Sequence, residues 1–227
     1  MKSIQSVEIS PSEDQKFESL DGETLFQAKW RVPVIAGRSK PAGRINRHYS
    51  ASRRFFAQYV ENVLILQAKR QKAFYDKFSF PFLPHGMDAD YTVTSNGNGI
   101  LSLYTDRYEY AGGVNGFTVR HSDTWSLESG FPLHVNMNKY KRVLLRMAES
   151  QAVKRRESGE SVYYEPLRHN LRRYWKPEQW YFTDEGLAIF FAQVTIAPRA
   201  EGIPVFVLPY EEIGEVKGLK ALQEKSI

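Results

Sequence analysis

His121 and Asp123 stand two residues apart in "GFTVRHSDTWSL", the closest imidazole–carboxylate pair in the chain. On a strand, alternate side chains share a face, so the two groups are neighbours. A carboxylate beside an imidazole is a general-base arrangement, provided a nucleophile or a substrate proton lies within hydrogen-bond reach. Together with Asp106 they are the acid–base group a glycan hydrolase built on this chain would use. The same strand face also carries Phe117, Val119, Trp125 and Leu127. That apolar set predicts a buried His121, bonded to Asp123 or to a loop, and favours a structural role.

Other chemistries find less support. The histidines, at 48, 85, 121, 134 and 169, show no HxxxH or HExxH spacing, so no metal site is expected. No GxSxG elbow is present, and cysteine is absent, which removes disulfide and thiolate chemistry. No cofactor is called for. The glycines of "YEYAGGVNGFTVRH" invite comparison with a phosphate cradle. Such cradles lie between a strand and a helix N-terminus, whereas strands flank this segment on both sides, and no Lys-Ser/Thr follows. Gly112 and Gly113 read as a bend, and Gly116 as a place of close chain approach.

In "LSLYTDRYEY", Ser102, Tyr104, Asp106, Tyr108 and Tyr110 share a face. Tyrosines with polar neighbours can stack on a sugar, or line a helix–sheet interface. The ligand candidates are therefore Tyr108, Tyr110, Asn115, Arg120, His121 and Asp123.

Charge is uneven. Residues 29–54 hold eight Lys/Arg and no acid, and 139–176 hold eleven against four acids, within a chain of net charge +5. Arg142, Arg146, Arg172 and Arg173 mark the second segment as a basic surface for an anionic partner. Neither segment interleaves aromatics as a stacking platform would, which argues against nucleic acid.

The elements that must position these groups follow from periodicity. Residues 1–22 read as a flexible leader. An N-terminal subdomain spans 23–90, with a strand over 23–35 and a long helix over about 50–78, capped at Ser50 or Ser52. Phe56, Val60, Val63 and Leu64 form its apolar stripe, widened by Phe55, Tyr59 and Leu66. A β-rich subdomain spans 91–218, with a hairpin at "NGNG", a second helix over about 136–157, and a doubly covered strand at "LAIFFAQV". Residues 219–227 are a tail. The order predicts an α+β fold, a largely antiparallel sheet packed against the two helices. No apolar run approaches membrane-spanning length. The polar N-terminus has no secretory signature, so the chain as it stands is expected in the cytoplasm, or outside it if an anchor precedes Met1.

"YEYAGGVNGFTVRHSDTWSLESGFPL" and "WYFTDEGLAIFFAQVTIAPRAEGIPVFVLPYEEI", with "FQAKWRVPVIAGRSKPAGRIN" upstream, resemble a bacterial domain of unknown function. That domain occurs outside the membrane in RsiV-type anti-sigma factors and as the non-catalytic N-terminal region of PdaC-type peptidoglycan deacetylases. The resemblance implies a non-enzymatic binding or sensing module, with a wall glycan or a protein as ligand. In the anti-sigma relatives the domain binds lysozyme, for which a basic chain is a poor electrostatic match. The family's histidine after the glycines is Asn115 here, its alanine is Val114, and its turn aspartate falls at Ser126. The rival readings are a glycan hydrolase using Asp106, His121 and Asp123, and a cytoplasmic binder of anionic polymer.

Overall fold

The computed structural model describes residues 6–214. The expected tail over 219–227, and residues 1–5 of the expected leader, lie outside the described residues. The fold is α+β, with a five-stranded sheet in the order β1-β2-β3-β4-β5 and a three-stranded sheet β6-β7-β8. Its strands are β1 Ile9–Leu20, β2 Glu23–Ile35, β3 His85–Gly97, β4 Ile100–Tyr110, β5 Phe117–Ser126, β6 Trp180–Phe182, β7 Gly186–Phe190 and β8 Val205–Pro209. Two compact units emerge, an N-terminal one of residues 8–91 and 105–118, and a C-terminal one of 6–7, 92–104 and 119–214. The outer half of β4 and the glycine bend therefore group with the N-terminal unit, although the sequence assigns them to the other subdomain.

In the N-terminal unit β1 and β2 pair antiparallel, and β2 pairs parallel with the start of β3. A parallel pair needs a crossover, and the long helix supplies it. This helix comprises α1 (Lys40–Tyr59), a π turn (Val60–Leu64) and α2 (Ile65–Lys77). It starts ten residues before the expected position. Ser39, not Ser50 or Ser52, is the cap, accepting from the Ala42 N–H at 3.2 Å. Pro41 sits in the first turn, where a missing N–H costs nothing. Ile45, Tyr49, Phe56, Val60, Leu64, Ile65 and Ala68 are buried, as are Phe26, Ala28, Trp30 and Val32 at alternate positions of β2.

The expected flexible leader is corrected by β1. Its alternate residues Asp14, Lys16 and Glu18 pair with Arg53, Glu61 and Lys69 of the helix. This edge strand is held by ladder hydrogen bonds and ion pairs, with no apolar alternation to read.

In the C-terminal unit, α3 (Lys141–Glu157), α4 (Leu167–Arg173) and the short α5 (Tyr210–Gly214) accompany the smaller sheet. The second expected helix starts later than Asn136, because a 3-10 turn at Met137–Lys139 precedes α3. Leu144, Leu145, Ala148, Leu167 and Leu171 share a core with Leu187, Ile189, Phe206 and Leu208. Strand β7 is buried along its whole length, as "LAIFFAQV" predicts for a doubly covered strand. The "NGNG" turn joins β3 to β4 with Asn98 and Gly99 both in the left-handed region (φ 51° and 78°), the demand of a tight hairpin.

Candidate functional site

The open face of the N-terminal sheet carries a groove of about 490 Å³. Strand register builds it: Phe17 pairs with Gln27, which pairs with Gly86, and Gln15 pairs with Lys29, which pairs with Asp88. Tyr108 and Tyr110 from β4 close the lining. Phe17, 65% exposed, stands with Tyr108, 42% exposed, in the lining of the same groove, so the two rings form a patch. Gly86 leaves the floor open. A Cβ there would fill it and come 3.3 Å from the Gln27 carbonyl. Around that floor stand two aromatic walls, two amides, an ammonium held 3.1 Å from Glu13 and the Asp88 carboxylate.

The glycine bend positions one wall. Residues 112–116 run between two strands and open no helix. The Gly116 N–H donates to the Tyr108 hydroxyl at 3.2 Å, and the Tyr108 ring occupies the space that a side chain at 116 would need. Gly112 (φ 76°) lets the chain pass close to Gln71 and to the buried His85. The His85 ring stacks on Phe82 with centroids 5.4 Å apart, and its Nε2 has no hydrogen-bond partner among the described residues. Burial lowers its pKa below the usual histidine value. Asn115 is exposed in the bend.

The other sequence candidates fall in the C-terminal unit. The His121 side chain is 71% exposed, which corrects the expected burial. Phe117 and Val119 on its face are exposed as well. Only over Phe117–His121 is the apolar side the more exposed one, since Trp125 and Leu127 on the same face are buried, and the polar side serves strand β6. Ser122 Oγ donates to the Trp180 carbonyl at 2.6 Å, and Ser102 Oγ, 2.8 Å from Thr124 Oγ1, accepts from the Phe182 N–H at 2.9 Å. Thr94 Oγ1 donates to the Phe182 carbonyl at 2.6 Å. Arg120, a ligand candidate, lies 3.6 Å over the Tyr104 ring and donates to the Tyr181 hydroxyl at 3.2 Å, so it holds the sheets together.

His121 Nε2 lies 3.4 Å from Asp123 Oδ1. That carboxylate, aided by the negative charge of Glu178, raises the imidazole pKa against the opposing effect of desolvation. Ser122, Asp123, Thr124, His134, Asn136 and Glu178 line a cleft of about 410 Å³. Glu178 escaped the sequence reading, since nothing in its spacing links it to Asp123. Asp106 belongs to the N-terminal unit, while His121 and Asp123 belong to the C-terminal one. No group of three or more metal-binding side chains forms among the described residues. Arg142, Arg146, Arg172 and Arg173 are exposed on α3 and α4.

Two family models match this chain. Residues 21–118 match the one described as deacetylase PdaC, and residues 133–211 match a protein family of unknown function, DUF3298. Each model covers less than half of the chain, so the likeness is to PdaC in its first part and to DUF3298 in its second. No curated protein matches it. Among solved structures, a DUF3298 family member from Bacteroides fragilis is similar at a TM-score of 0.69 and 14% identity, covering 99% of each chain. A DUF3298 family protein from Pseudomonas aeruginosa follows at 0.56 and 13%, covering 92% of this chain and 93% of its own. At such identities the likeness is one of fold. The groove around Gly86 falls in the PdaC-matching part for all but Gln15 and Phe17, and His134 and Glu178 of the cleft fall in the DUF3298-matching part.

Proposed function

We propose that this chain is a non-enzymatic binding module whose N-terminal unit takes an N-acetylated glycan of the wall-polymer kind. One observation carries the reading: Phe17 and Tyr108 stand exposed around a floor kept bare by Gly86, with amides and one carboxylate at hand. A sugar ring presents an apolar C–H face for aromatic stacking, and its acetamido and hydroxyl groups pair with amides and carboxylates. All these groups project from paired strands, so the surface is formed before a ligand arrives. A place facing the wall, as the resemblance to RsiV-type and PdaC-type proteins implies, goes with this reading.

The test is calorimetric titration with N-acetylglucosamine oligomers and soluble peptidoglycan fragments. Binding that falls at least about tenfold in Phe17→Ala, with an unchanged melting curve, supports the module. Absence of binding by the unaltered chain removes it.

A glycan hydrolase is the second reading, favoured by Asp123 and Glu178 lining one cleft beside the exposed His121. Against it, the Asp123 carboxylate is engaged with His121. Release of reducing ends or acetate from peptidoglycan, abolished by Asp123→Asn, is the result that installs the enzyme in place of the module.

A further inference from the structure

We propose that the outward face of the long helix is a docking surface for an acidic amphipathic helix of a partner protein. The inference is independent of the glycan groove. On this face Phe55, Val63, Leu66, Phe74 and Phe78 are each 45 to 55% exposed. Val63, Leu66, Arg70 and Phe74 follow one another at helical spacing and line a groove of about 570 Å³ together with Asn62 and Gln67. In a regular α-helix Val63 would follow Phe56 at i+7 onto the buried side. The π turn at Val60–Leu64 delays the rotation, so Leu64 turns inward and Val63 outward. An irregular turn that exposes an apolar row is a common mark of function. Single exposed apolar residues need no explanation, but a continuous helical row does.

The charges choose the occupant. The only acids on the helix, Glu61 and Asp76, are taken up by Lys16 at 2.9 Å and Lys72 at 3.0 Å. Arg54, Arg70 and Lys77 are exposed and have no ion pair among the described residues. The face therefore offers an apolar row with positive flanks, the complement of a helix bearing leucine-type anchors between carboxylates. A second copy of the same face would oppose Arg70 with like charge. A lipid surface is the rival occupant that the vesicle control below distinguishes.

The experiment uses the whole chain and a fluorescein-labelled designed helix with Leu at i, i+3, i+4 and i+7 flanked by Glu. The controls are the same peptide with Lys replacing Glu, phosphatidylglycerol vesicles, and sedimentation of the protein alone. Leu66→Asp and Arg70→Glu are exposed changes, and circular dichroism checks that each leaves the fold intact. The expected result is binding of the acidic peptide, at least about tenfold weaker in either variant, with the basic peptide bound only by Arg70→Glu. The proposal is overturned if the acidic peptide does not bind, if Leu66→Asp leaves its affinity unchanged, or if Leu66→Asp instead abolishes vesicle binding or self-association.

Discussion

Tyr108 lies across Gly116: the glycine N–H donates to the phenol oxygen at 3.2 Å, and the ring fills the volume a side chain would take at 116. The glycine bend is thus a seat for an aromatic ring, and its role is to aim one wall of the Gly86 groove.

Gly116→Ala should therefore move the ring without unfolding the unit. Tyr108 is a side chain 42% exposed and can swing toward solvent. The expected cost is about 1 kcal/mol, a few degrees in Tm. Glycan affinity should fall with it. Ring contacts between Tyr108 and residue 116 in an NMR spectrum, together with a melting curve, separate this from global loss of structure.

Gly186→Ala should behave differently. A Cβ at this first residue of β7 would strike the backbone carbonyl of Leu208, its neighbour across the strand pair. Neither backbone can move without breaking the pairing, so overpacking of about 2–3 kcal/mol is expected. Thermal melting measures it. A variant as stable as the parent would show that the close approach of β7 and β8 has been misread.

Much of the fold was legible where a single force acts. Asn98 and Gly99 announce their hairpin because few other residues tolerate positive φ, and β7 announces itself because both its faces are covered. Strand β1 was not legible. Its partners Arg53, Glu61 and Lys69 lie far along the chain, and ion pairs leave no periodic trace. The helix start was hidden because Pro41 and Gly43 look like a loop when Ser39 is not taken as a cap. His121 was misplaced for a related reason. Apolar residues on β5 suggest an inward face, which holds for Trp125 and Leu127 but not for Phe117–His121, where Ser122 on the opposite side bonds to the β6 backbone. Of the candidate site, Tyr108 and Tyr110 were readable from alternation. Phe17 was not, because its strand was not.

Acid should destabilise the N-terminal unit through His85. Its pKa is lowered in the folded chain, so below the ordinary histidine value of about 6.5 the unfolded chain binds a proton that the folded one refuses. Stability is then full above that value and declines as pH falls toward the folded pKa. His121 has the opposite sign: its raised pKa adds stability that is fully present below about 6.5 and is lost as pH rises through the folded value. His121 is largely exposed, and solvent weakens its pairing. Melting curves between pH 7.5 and 5 should show a net loss on acidification that His85→Gln removes. A loss unchanged in that variant contradicts the account of a buried neutral imidazole.

The basic surface on α3 and α4 should bind polyanions weakly and without sequence preference. Arg142, Arg146, Arg172 and Arg173 are exposed and have no ion pair among the described residues. Retention on a heparin column should fall when Arg172→Ala and Arg173→Ala are combined, and should vanish with rising salt. Retention indifferent to salt would remove the electrostatic explanation.

The most direct test of the central claim is an NMR titration of the labelled chain with N-acetylglucosamine oligomers. The account predicts shifts concentrated on Phe17, Gln27, Gly86, Asp88 and Tyr108, saturating with sugar and absent in Tyr108→Ala. Shifts centred instead on Asp123, His134 and Glu178, accompanied by sugar cleavage or acetate release, would contradict it.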